Sequence, residues 1–120
     1  MMQNNLGIAY KDKIKGNKAN NIEKAIYFYQ TALQVFTREA FPQQWAWTQN
    51  NLGLAYSDRI LGNKIENIEN AIICYQAALK IRTQKDFPQD WAKVVLPILE
   101  IPAMNILVYQ VALFVLVLRV

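Results

Sequence analysis

Few side chains in this sequence are equipped for covalent chemistry, and their spacing gives them little to work with. The chain has no histidine, which removes the commonest acid–base group and metal ligand. Its one cysteine, Cys74, and its one serine, Ser57, have no basic partner close in sequence, and a thiol or hydroxyl nucleophile needs one. Cys74 sits in Ile72-Ile73-Cys74-Tyr75, an apolar setting where cysteine packs as a small hydrophobe and no cation lowers its pKa. Glycines occur singly, so there is no phosphate-cradling loop. Glu23, Glu66 and Glu69 stand near expected helix starts, where negative charge stabilises the exposed N–H groups. The expectation is a protein that is not an enzyme and takes no cofactor and no metal.

The remaining polar residues suit recognition. The net charge is +4, from 13 basic and 9 acidic residues. Lys11, Lys13, Lys15 and Lys18 form the densest basic run, but a nucleic-acid surface calls for a longer stripe, and such runs are ordinarily solvated faces. Nucleic acid is therefore not the expected partner. Asn4-Asn5 and Asn50-Asn51 are paired amides, and Trp45, Trp47 and Trp91 are large aromatic anchors of the kind that dominate protein interfaces. Trp91 repeats Trp45 at its equivalent place, which favours packing for that pair. Trp47 has Lys93 as its counterpart and is the better candidate for a specific contact.

The elements that must hold these residues are written twice. Gln3-Asn4-Asn5-Leu6-Gly7 returns as Gln49-Asn50-Asn51-Leu52-Gly53. Aligning 3–46 on 49–92, a period of 46, gives 27 identities over 44 positions. Hydrophobic residues make up 53% of the chain, with only four glycines and four prolines, so most of the length should be helix. Phe41-Pro42 and Phe87-Pro88 open successive units, because proline suits the first turn of a helix. A first helix should run from Pro42 through Trp45, Leu52 and Tyr56 to about Ile60. It should stop in Leu61-Gly62-Asn63-Lys64, with Gly62 in the left-handed conformation. A second helix should begin near Glu66 or Asn67. In the first copy Asn20 and Glu23 have capping-box spacing. Ile68, Ala71, Ile72, Tyr75, Ala78, Leu79 and Arg82 then step by three and four, an apolar helical stripe apart from Arg82. Gly53 and Ala71 are small where the two helices should cross. Tyr56, Tyr75 and Leu79 should fill the space between adjacent hairpins.

Leu52-Gly53-x-x-Tyr56 followed by Ala71-x-x-x-Tyr75-x-x-Ala78, with Leu6-Gly7-x-x-Tyr10 and Ala25-x-x-x-Tyr29-x-x-Ala32 in the first copy, resembles the tetratricopeptide repeat family. The likeness covers about 3–92. The family's usual unit is near 34 residues. The additional length here falls in the Gly-Asn-Lys turn and after Ala78, which is similar to a long bacterial variant often found beside caspase-like peptidase domains. The resemblance implies an all-α fold, an α-α hairpin superhelix, acting as a protein–protein interaction scaffold with a concave groove lined by the first helix of each hairpin. Carried onto this sequence, the groove positions are Asn4, Asn5, Ile8, Lys11 and Asp12, and Asn50, Asn51, Leu54, Ser57 and Asp58, with Trp47 beside them. Asn5 and Asn51 match the place where some members grip a peptide backbone or a terminal carboxylate. The fuller clamp needs an asparagine where Ile8 stands, so that mode of binding is not expected. The plain alternative for Asn50 and Asn51 is that they merely face water on a helix.

The expected organisation is a repeat domain over 1–92, with units 1–40 and 41–86 and a third begun at 87, then a divergent apolar segment over 93–120. In the third unit Ile98, Leu99 and Pro102 occupy the Leu-Gly and Tyr places, and Pro97 and Pro102 should each interrupt a helix. Entry into the first unit midway through a helix leads us to expect a piece of a longer array or a degraded gene. Residues 103–120 leave three roles open: a capping helix over the last hairpin, self-association, or membrane entry. The uninterrupted apolar run 111–118 is short of the roughly 20 residues a spanning helix needs. The alternative function is accordingly a membrane-associated or self-assembling structural segment. A lone cysteine and an N-terminus without signal-peptide features point to a cytoplasmic protein. The partners expected are a protein or peptide, with self-association and a membrane surface as the lesser alternatives.

Overall fold

The computed structural model describes residues 17–99. Within that range the chain forms four helices and no strand: α1 (Lys18–Val35), α2 (Pro42–Asp58), α3 (Lys64–Leu79) and α4 (Pro88–Leu99). Short connections make successive helices neighbours that run in opposite directions, and α1 packs on α2, α2 on α3 and α3 on α4.

The 46-residue period is visible in the helix starts. α1 and α3 are the same element in the two copies. Each is capped by the asparagine of the Gly-Asn-Lys turn: Asn17 Oδ1 accepts from Asn20 N at 3.2 Å, and Asn63 Oδ1 accepts from Glu66 N at 3.1 Å. A side-chain acceptor at this position satisfies one of the free N–H groups of the first turn. The expected cap at Asn20 is thus three residues late, and the expected start at Glu66 or Asn67 two or three residues late. Asn63 and Glu66 have the spacing assigned to Asn20 and Glu23. The cap was misplaced because the turn holds several asparagines and sequence alone does not rank them. Gly62 ends the α2–α3 turn at φ 80°, the left-handed conformation glycine adopts without steric cost. The first helix ends at Asp58 with Arg59 as its C-cap, two residues before the expected Ile60.

α2 and α4 begin the same way. Phe41 N donates to Thr37 O at 2.9 Å and Trp45 N to Phe41 O at 2.8 Å. In the next copy Phe87 N donates to Thr83 O at 2.8 Å and Trp91 N to Phe87 O at 2.8 Å. α4 crosses position 92 and continues through Pro97, whereas Pro97 was expected to interrupt it. Proline removes one helical hydrogen bond and crowds the preceding turn. Val94, Val95 and Ile98 are nevertheless buried against α3 and α2, and that packing holds the last turn in place.

Two overlapping cores result. Ile22, Ala25, Ile26 and Tyr29 of α1 meet Leu52 and Ala55 of α2 and Cys74 of α3. Ala46 of α2 meets Ala71, Tyr75, Ala78 and Leu79 of α3 and Val94, Val95 and Ile98 of α4, with Trp45 and Trp91 packed partly buried alongside. Tyr56 touches both cores. Each core therefore joins three consecutive helices, so no hairpin buries its apolar surface alone. At the α2–α3 crossing Gly53 is required: a Cβ there would lie 2.7 Å from Tyr75 Cε1. The small residue is thus set against the neighbouring ring.

Candidate functional site

The residues assigned to a groove divide into three groups. Asn4, Asn5, Ile8, Lys11 and Asp12 lie outside the described residues. Asn50 lies on α2 but is buried, only 6% exposed, which contradicts its placement on an open or water-facing surface. Trp47, Asn51, Leu54 and Ser57 are half-buried and Asp58 is exposed. At spacings of three and four along α2 these five share one face of the helix.

Two of these side chains are already engaged within the fold. Leu54 packs against the α2–α3–α4 core. Ser57 Oγ lies 3.2 Å from Tyr75 Oη, so its hydroxyl braces the ring that Gly53 admits. The asparagines are different. Asn50 Oδ1 and Asn51 Nδ2 are buried without a hydrogen-bond partner among the described residues. An unpaired buried polar atom costs about 1–3 kcal/mol. Adjacent residues thus hold one unmet acceptor and one unmet donor, both enclosed within the fold. Trp45, by contrast, is packed against the core, with the Arg38 guanidinium 5.7 Å from its ring centroid.

Nothing in the site resembles an activated nucleophile. Burial pushes the Cys74 thiol up to about 12, the opposite of the depression a reactive thiolate requires. Among the described residues no group of three or more His, Cys, Asp or Glu side chains could hold a metal. No described helix is long and apolar enough to cross a membrane.

The strongest polar arrangement involves a residue that sequence reasoning passed over. Arg59, at the end of α2, donates from Nε to Glu23 Oε1 at 2.6 Å and from Nη2 to Glu23 Oε2 at 3.1 Å. Its Nη1 donates to Asn67 Oδ1 at 3.2 Å, and Asn67 Nδ2 donates to Leu61 O at 2.9 Å. The hydrogen bond to Glu23 raises the Arg59 pKa above its ordinary value, against the opposing effect of burial. Glu23 is therefore an interhelical partner, where its spacing had suggested a cap. A signal existed: Asn21 and Asn67, and Glu23 and Glu69, each recur at 46 residues, and a basic residue stands at both 13 and 59. It was easy to miss because the pairs are distant in sequence. Comparison of the chain with family models, with curated proteins and with solved structures finds no match.

Proposed function

We propose that this protein is a non-catalytic scaffold of the tetratricopeptide-repeat kind, binding an extended or helical peptide along the α2 face that carries Trp47 and Asn51. Helices that pack in sequence around overlapping cores extend a surface without closing a pocket, which suits recognition better than catalysis. The observation that carries the reading is the adjacent pair of unmet amide groups, Asn50 Oδ1 and Asn51 Nδ2. A ligand backbone would satisfy both, and Trp47 beside them would supply apolar contact area. Both atoms are buried, so a small local opening must expose them; Asn51, half-buried as a residue, needs the smaller one and is the principal residue. The duplicated unit, with its 27 identities over 44 positions, supports an array whose units present equivalent faces.

The test is selection of random peptides displayed on phage, with enriched sequences measured by calorimetry against wild type and an Asn51→Ala, Trp47→Ala double variant. The scaffold reading expects enriched peptides whose affinity falls at least tenfold in the variant. Failure to enrich any peptide, or equal affinity for both proteins, would remove this face from consideration. Repeating the selection on a chain lacking 103–120 separates this reading from self-assembly or membrane association through the tail. Retained peptide binding supports the groove, and loss of binding favours the tail.

A further inference from the structure

We infer that Arg59 is a latch that sets the angle between the two units, acting on the geometry of the junction in addition to its strength. Three observations carry this. First, its partners lie on different units: Glu23 on α1, and Asn67 on α3 of the following hairpin. Second, the guanidinium is fixed at three points, with two parallel bonds to one carboxylate and a third to the Asn67 amide. A planar fork held this way has one orientation. Third, the latch is tied to the turn backbone, since Asn67 also binds Leu61 O, and Gly62 passes close enough that a Cβ would lie 3.4 Å from Arg59 Nη1. The tie to the turn is therefore the Asn67 bridge, with Gly62 leaving room beside the guanidinium.

A lysine could not reproduce this, because an ammonium is a point charge without coplanar donors. Lys13 stands at the corresponding place in the first copy, and its ammonium has no such fork to offer. The apolar contacts between α1 and α2 restrict the crossing to a range of angles, since side-chain interdigitation sets preferred crossings with about 15–20° of scatter. The directional bonds select among those angles. This inference is independent of the ligand-binding proposal.

The experiment measures distances between nitroxide labels by double electron–electron resonance in the full chain. Two label pairs sit at exposed equivalent positions of the two copies: Lys18 with Lys64 at the starts of α1 and α3, near the latch, and Gln34 of α1 with Lys80, the C-cap of α3, at the far end. Buried Cys74 does not compete for label. Wild type should give one narrow distance for each pair. Arg59→Met should at least double the width of both distributions with helix content by circular dichroism unchanged, and Arg59→Lys should fall between. Glu23→Met, which removes both acceptor oxygens and keeps the side-chain length, should match Arg59→Met and serves as the decisive variant if Arg59→Met does not fold. Wild-type widths in Glu23→Met overturn the latch, whether its melting temperature is unchanged or lowered, because the pair would then contribute stability alone.

Discussion

The turn from 36 to 45 and the turn from 82 to 91 share a hydrogen-bond pattern and hold different contents. In both, an amide at the start of the turn donates to the alanine carbonyl four residues back, Phe36 to Ala32 at 2.8 Å and Arg82 to Ala78 at 2.9 Å. In both, a threonine hydroxyl accepts from the third residue on, Thr37 from Ala40 and Thr83 from Asp86, each at 3.2 Å. The first turn is closed by aromatic rings, with Phe36 edge-on to Phe41 at 5.6 Å between centroids. The second holds Arg82, only 8% exposed, with the nearest carboxylate oxygen of Asp90 at 4.0 Å and Nε unpartnered. Burial lowers the Arg82 pKa, and Asp90 offsets that only in part. The turn path thus follows from Thr-x-x-x-Phe-Pro, while the residue plugging it is free to vary at a cost in stability.

The comparison can be broken most severely at its shared rings. Tyr29 and Tyr75 are equivalent and both fully buried. Replacing either with alanine should cost about 3–5 kcal/mol, measured by urea unfolding. A cost at Tyr29 well below that at Tyr75 would show that the two units are not packed alike. Next in size is Gly53→Ala, which drives a methyl group into the Tyr75 ring and should cost about 1–3 kcal/mol. Combining it with Tyr75→Leu should cost less than the sum of the two single changes, because the clash is removed. Additive costs would place the glycine elsewhere.

The plug itself gives a smaller effect of opposite sign in the two copies. Arg82→Phe should raise stability by about 1 kcal/mol, since apolar packing replaces a buried, poorly paired cation. Phe36→Arg should lower it by a similar amount. A loss in both directions would mean that Arg82 is better satisfied than its geometry implies. The caps are expected to be equal: Asn17→Ala and Asn63→Ala should each cost about 1 kcal/mol, and unequal losses would show that one cap is redundant.

Much of this was legible because it repeats. The hairpin, the Phe-Pro starts, the left-handed Gly62 and the close Gly53 crossing all follow from local preferences and from a period of 46. What escaped were contacts that join distant positions. Arg59 looks like an ordinary surface cation until α1 is placed beside the end of α2. Asn50 looks exposed on a helix of mixed polarity until α2 is enclosed by its neighbours. Pro97 looks like a breaker until Val94 and Ile98 are buried around it. In each case the neighbouring helix decided the outcome, and the local spacing within one helix carries no sign of it.

Cys74 offers the smallest and cleanest test of enclosure. With its thiol pushed up to about 12 by burial, it should resist a disulfide reagent at pH 8 and react only on unfolding. The raised value also has a sign for stability. The unfolded chain loses this proton near the ordinary thiol value while the folded chain keeps it, so the contribution is full below that value and declines as pH rises toward 12. A Cys74→Ala variant should therefore show a shallower alkaline fall in melting temperature.

The claim beneath all of this is that one 46-residue unit, written twice, folds into helices that share cores across the boundary between copies. Nuclear Overhauser contacts in a labelled sample test it directly. The account requires Gly53 Hα to contact the Tyr75 ring within the second unit, and Cys74 and Ala55 to contact Ile22 and Ile26 across the boundary. The first contact without the second set would leave two hairpins that do not stack, and would contradict it.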